Sequence, residues 1–249
     1  MRGNVLGWAT AYLALTSAAG AADWYTGAEE LAPPKPQPSV AIDFAFEATS
    51  QQAVSGAMIG TIAPLSPLAE SGLRIRLGGF GGSYVYYASE PWVGRVNGYF
   101  EQGAAMLGYE WIERLWQFAL FGGVEVSHDA ISPNDPDNTV KGTHAGLKIG
   151  ADFYARPSDQ TMISTIATYS TDHNAYYTRL KFGLAIGGGV FVGPEALALG
   201  DDFFHQWRGG LHLSGLRFGG VQFGISGGYL QDQVRGPGGY GLLDARLTF

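Results

Sequence analysis

The chain closes on LLDARLTF, Leu242 to Phe249. Leu243, Ala245, Leu247 and Phe249 share one parity, and Asp244, Arg246 and Thr248 share the other. Successive side chains of an extended chain point to opposite sides, so a period of two over this length is a strand with one apolar and one polar face. The strand ends on a bare aromatic.

Upstream runs follow the same rule. SVAIDFAFEA sets Val40, Ile42, Phe44 and Phe46 against Asp43 and Glu47, and GLRIRLG sets Leu73, Ile75 and Leu77 against Arg74 and Arg76. WQFALFGGVEVS sets Trp116, Phe118 and Leu120 against Gln117, with Glu125 and Ser127 following. THAGLKIGADFYA sets Leu147, Ile149 and Phe153 against His144, Lys148, Asp152 and, one step on, Tyr154. YYTRLKFGLAIG sets Leu180, Phe182 and Leu184 against Tyr177, Arg179 and Lys181. FHQWRGGLHLSG sets Trp207, Leu211 and Leu213 against Gln206, Arg208 and His212, and GVQFGISGGY sets Val221, Phe223 and Ile225 against Gln222 and Ser226.

Turn-forming stretches (LSPLAESG, IERL, ARPSDQ, GGG, SGLRFGG) alternate with polar ones (YYASEPWVGR, SHDAISPNDPDNTVKG, STDHN, LGDD, LQDQVRGPGG). The count gives about twelve strands, with ten as the alternative, each of roughly ten residues, the length of a tilted membrane strand. Both termini then lie on one side.

The first residues read differently. Arg2, an apolar run from Val5 to about Leu15 and small residues around Ala19-Gly20-Ala21 describe a secretory signal over residues 1–21, too short to span a membrane. Residues 22–38, with LAPPKPQP, read as an extended periplasmic leader. Residues 39–249 form one domain.

Composition narrows the class. Export without cysteine excludes disulfide scaffolds, thiolate metal sites and thiol catalysis. A net charge of -7 with no basic block excludes a nucleic-acid partner. A soluble sandwich also alternates. Three features favour a transmembrane barrel: charges in mid-strand sharing a face with glycine, aromatics near strand ends on the apolar face, and a strand count that permits closure. The apolar face then meets outer-membrane lipid, and substitutions on the polar, lumen face should be cheaper than charges on the apolar one.

His212 and Ser214 lie two apart on one face, a spacing that resembles the His-x-Ser of outer-membrane lipid A deacylases, with Glu195 as a third member. Their parity is that of Arg208, so a lumen hydrogen-bond network is the favoured reading. Asp129, Asp135 and Asp137 could gather calcium, but match no established spacing. The five histidines form no ligand pair at metal spacing, and no metal or cofactor is expected. GGFGGS precedes no helix and is no nucleotide cradle.

SGAMIGTIAPL, GYEW, DFYARPSDQTMIS, YYTRLKFGLAIGGGVFVGPEALALGDDFFHQWRGGLHLSGLRFG and GYGLLDARLTF together resemble the alphaproteobacterial cellulose biosynthesis protein BcsS family. The resemblance implies an outer-membrane barrel beside a cellulose synthase, with a cellulose chain and periplasmic synthase components as partners. A terminal Phe249 resembles the mark read by the barrel-assembly machinery. The expected role is non-enzymatic, as export pore or scaffold, with a lipid-modifying enzyme or a small-solute porin as alternatives. Arg74, Arg76, Lys148, Asp152, Tyr154, Tyr177, Arg179, Lys181, Arg208, His212 and Arg246 are the candidate lumen residues for a glucan: the tyrosines would stack on sugar faces and the charged groups would bond hydroxyls.

Overall fold

The structure, a computed structural model, describes residues 37–88, 92–136, 138 and 140–249. The expected signal, nearly all of the expected leader, and Asp137 lie outside the described residues. Twelve strands follow in order: β1 (Val40–Thr49), β2 (Val54–Ile62), β3 (Gly72–Tyr87), β4 (Arg95–Ile112), β5 (Trp116–Ser132), β6 (Gly142–Ser158), β7 (Thr161–Ser170), β8 (Tyr176–Gly187), β9 (Val190–Gly200), β10 (His205–Phe218), β11 (Val221–Asp232) and β12 (Gly236–Thr248). Each pairs antiparallel with the next, and β1 pairs with β12, so the sheet closes into a barrel without an edge.

LLDARLTF is the closing strand. Its register runs from Ala41↔Thr248 to Thr49↔Tyr240, and the Phe249 N–H donates to the Val40 carbonyl at 2.8 Å. The turns after β2, β4, β6, β8 and β10 lie on the side of the described ends, and the other turns lie opposite. The turns after β8 and β10 are built on Gly188-Gly189 and Gly219-Gly220, all four at positive φ, as a two-residue hairpin turn that matches strand twist requires.

The faces divide as the alternation dictates. Leu77, Leu147, Leu180, Phe182 and Leu211 are exposed on the outer wall, while Arg179, Lys181, Arg208, His212 and Glu125 are buried on the inner one. Outer aromatics gather in two bands: Trp111 stacks on Phe118 at 5.6 Å near the ends side, and Trp207 meets Tyr229 at 5.6 Å on the opposite side.

Three particulars depart from the sequence reading. First, ten residues per strand is too few for β3–β6, which are 16, 18, 17 and 17 residues long. Since ~9–11 residues cross a membrane, these four form a taller wall. It rises opposite the ends: β3 continues past Ser83, where its pairing with β2 stops, and β6 begins before Lys148, where its pairing with β7 stops. Second, the inner wall is not uniformly polar. Met106, Ala119 and Phe121 form one buried apolar cluster, and Leu197, Leu230 and Tyr240 form another. Third, SGLRFGG is not only a turn. A bulge at Gly215 (φ +87) shifts the register between Ser214 and Leu216. Leu216 then pairs with outward Phe223, and Arg217 pairs with inward Gln222. One extra residue thus turns an arginine away from the lipid-facing surface.

Candidate functional site in the barrel lumen

The inner wall carries the chemistry, and chords between distant strands organise it. From β10, the Arg208 Nη2 donates to Glu47 Oε1 of β1 at 2.7 Å, its Nη1 meets Glu47 Oε2, and its Nε donates to Gln206 at 2.6 Å. From β8, the Arg179 Nε donates to Glu195 Oε2 at 2.9 Å, its Nη2 to Ser226 at 2.6 Å, and its Nη1 to Asp244 of β12 at 3.3 Å. Lys181 also reaches Asp244, at 3.2 Å, and the Tyr240 hydroxyl donates to Glu195 Oε1 at 2.8 Å. Across the taller wall, Arg76 pairs with Asp152 and lies 3.6 Å over the Phe121 ring, while Lys148 pairs with Glu125 and donates to Gln102 at 3.1 Å.

The sequence-nominated residues therefore separate by location. Arg179, Lys181 and His212 join one network through Asp244 and Ser214, and Arg208, paired with Glu47 of β1, meets it over the Tyr240 ring at 5.3 Å. Arg76, Lys148 and Asp152 belong to the taller wall. Tyr177 packs against the Leu197–Leu230–Tyr240 cluster, and Tyr154 is half-buried on β6. Arg74 stands apart at the ends side, where it is fully buried: its Nε donates to Glu110 at 2.7 Å and its guanidinium binds Ser66 and the carbonyls of Leu73, Pro67 and Glu70, fastening the 63–71 turn. Arg246 lies half-exposed, 3.5 Å from Asp43.

His212 and Ser214 do meet, with Nδ1 and Oγ 3.0 Å apart, but Glu195 is not the third member because Arg179 and Tyr240 hold it. The other His212 nitrogen, Nε2, is 3.0 Å from the Phe182 carbonyl. The β8–β9 register, Lys181↔Glu195 and then Leu184↔Val192, sets Phe182 opposite Pro194. Proline has no N–H to give the ladder. A carbonyl only accepts, so Nε2 carries the proton, and the imidazole replaces the missing backbone donor.

Sequence reasoning missed two groups. Phe80 and Phe100 (5.0 Å), Tyr84 (6.4 Å from Phe100) and Tyr86 form an aromatic ladder up the inner face of β3–β4. The Tyr86 hydroxyl donates to Asp135 at 2.8 Å and accepts from Asn138 at 2.9 Å, tying both residues to β3. The alternation in FGGSYVY carried that signal. The second group is a histidine pair that sequence spacing did not show: His144 and His173 have ring centroids 4.6 Å apart, with Asp172 beside them. Twenty-odd residues of β6 and β7 separate them in sequence, so spacing could not find them. Of the loop carboxylates, Asp129 stands on the inner wall of β5, and Asp135 holds Tyr86.

A closed antiparallel barrel, apolar and aromatic outside and ion-paired inside, is the architecture of an outer-membrane barrel protein. The chain belongs to the cellulose biosynthesis protein BcsS family, whose model matches residues 42–249. Among solved structures it is similar to the COG4313 outer membrane channel from Pseudomonas putida F1, with TM-score 0.54 and 11% identity over 88% of this chain and 100% of that one. It is also similar to a TodX monoaromatic hydrocarbon channel mutant, with TM-score 0.49 and 6% identity over 85% of this chain and 90% of that one. At these identities the likeness concerns the fold alone. No curated protein matches the chain.

Proposed function

We propose that this protein is a non-enzymatic outer-membrane component of cellulose production, acting after glucan synthesis as a surface scaffold with a closed lumen. One observation carries the choice of scaffold over export pore. Arg179, Lys181, Glu195, Arg208 and His212 are each at most 8% exposed, and the chords from Arg179 and Lys181 to Asp244, from Glu195 to Tyr240 and from Arg208 to Glu47 join strands that are not neighbours in the sheet. A polysaccharide strand cannot thread a cross-section occupied by paired side chains. Membership of the BcsS family supports the link to cellulose. The capping role of His212, and an inner-wall position away from lipid, argue against a lipid-modifying enzyme.

The ends side would face the periplasm and its synthase components, with Phe249 at the seam read by the assembly machinery. The taller wall would face outward. There the ladder of Phe80, Tyr84, Tyr86 and Phe100 offers sugar faces a stacking surface, while Asp43, Asp152, Asp244 and Arg246, only partly covered, offer hydroxyl partners at the lower lumen.

Two measurements test this. A clean deletion should lower or mislocalise surface cellulose and leave glucan polymerisation by isolated inner membranes unchanged; normal surface cellulose would remove the assignment. In planar bilayers the wild-type chain should show no stable open level, and Arg208→Ala combined with Glu47→Ala should create one. Steady wild-type conductance would favour the export pore.

A further inference from the structure

We propose that His144, Asp172 and His173 form a zinc-binding site inside the mouth opposite the chain ends. One ligand atom from each residue lies within 4.8 Å of the other two. Both Nε2 atoms, of His144 and His173, are buried without a hydrogen-bond partner among the described residues. A buried imidazole nitrogen left without a partner is costly, and two that converge beside a carboxylate share one remedy, a cation. The His173 Nε2 is 3.6 Å from Asp172 Oδ1, too long for a hydrogen bond. Zinc bonds of ~2.0–2.2 Å at a tetrahedral angle place two ligand atoms about 3.4 Å apart. The observed gap is near that bite distance.

The surroundings hold the ligands in place. Asp172 Oδ2 accepts from the Ser127 hydroxyl, which leaves Oδ1 directed at His173. His173 and Asn174 take positive φ, 50° and 52°, which these residue types tolerate better than most. The turn is clamped in that shape: Asn174 Nδ2 donates to both Asp202 oxygens at 2.9 and 3.1 Å, and its Oδ1 accepts from Tyr169 at 2.7 Å. The Thr171 Oγ1 accepts from the Leu147 N–H at 2.9 Å, which seats the turn on β6 beside His144. Gly146 makes this seating feasible, since a Cβ there would come within 2.6 Å of the Asp172 nitrogen. Asp129 stands within electrostatic reach of both rings, and Asp201 of the His173 ring. Two imidazoles and one carboxylate form a set suited to zinc rather than calcium, which takes oxygen ligands, and the fourth position is left for water or an outside ligand.

The test uses the full chain folded in detergent micelles and stripped with chelator. Titration with zinc should give one saturable site per chain and raise the unfolding temperature; calcium should do neither. The double variant His144→Ala/His173→Ala should lose saturable binding, Ser127→Ala should weaken it about tenfold through the loosened carboxylate, and His205→Ala should leave it intact. Equal zinc binding by wild type and the double variant, or equal loss on His205→Ala, would overturn the site. Should the double variant fail to fold, wild type with cobalt decides the matter. Intense visible bands of a four-coordinate ion support the site, and the weak spectrum of aqueous cobalt rejects it.

Discussion

At the scale of single residues, the lumen is a set of substitutions for missing backbone or missing charge. His212 stands in for the N–H that Pro194 lacks. Removing the imidazole leaves the Phe182 carbonyl buried and unmet, a loss of ~1–3 kcal/mol. Pro194→Ala restores a backbone donor at that position, so His212→Ala should cost measurably less in the Pro194→Ala background. Urea unfolding of the four chains of that cycle checks it, and additive costs would refute the capping role. Arg208 poses the reverse problem. Arg208→Leu is expected to be dearer than other lumen swaps, because it leaves the partly buried Glu47 carboxylate without its arginine. The expected cost is ~3–5 kcal/mol, with partial recovery when Glu47→Leu is added. Parity in the sequence put the eleven nominated side chains on the polar face, and the described residues carry them on the inner wall. Their accessibility was not legible, since it depends on chords such as Arg208 to Glu47, between residues 161 apart.

At the scale of elements, local regularity was legible and its interruptions were not. The runs in β8 and β10 alternate cleanly, so their faces followed directly. The bulge in β10 hid within SGLRFGG, where a glycine before a Gly-Gly turn looks like part of the turn. Gly215 sits at φ +87, and a Cβ there would collide with the Gly189 carbonyl. Gly215→Val should therefore lower the yield of folded barrel sharply. Deleting Gly215 should remove the bulge, restore strict alternation and leave Leu216 opposite Phe223 and Arg217 opposite Gln222, still on the inner face. Folding yield, read by gel mobility, should drop for Gly215→Val and stay near wild type for the deletion; a Gly215→Val chain that folds as wild type would show that the close approach to Gly189 does not require glycine here. On the same strand, Leu211→Arg places a charge on a side chain that is 65% exposed on the outer wall, and should cost ~2–4 kcal/mol near the bilayer midplane. Strand length was underread in β3–β6 because alternation continues unchanged where a strand leaves the membrane.

At the scale of the molecule, closure lets every strand satisfy its neighbours within one sheet, which is what a lipid surround demands. A folded chain run unboiled on a detergent gel should migrate apart from the boiled chain, and a chain that stays soluble and monomeric in buffer without detergent would contradict the membrane reading. The seam has a further consequence, for the order of folding. Eleven of the twelve pairings join strands consecutive in sequence, and only β1 with β12 joins the two extremes. Hairpins form fast and close short loops, whereas a pairing across the whole chain bears the largest loss of chain entropy. Seam closure is thus the step that waits for all others. Substitutions in the β6–β7 hairpin, already formed when the seam closes, should chiefly slow barrel formation, while equally destabilising ones in the Ala41–Thr49 and Tyr240–Thr248 pairing, which completes last, should chiefly hasten unfolding.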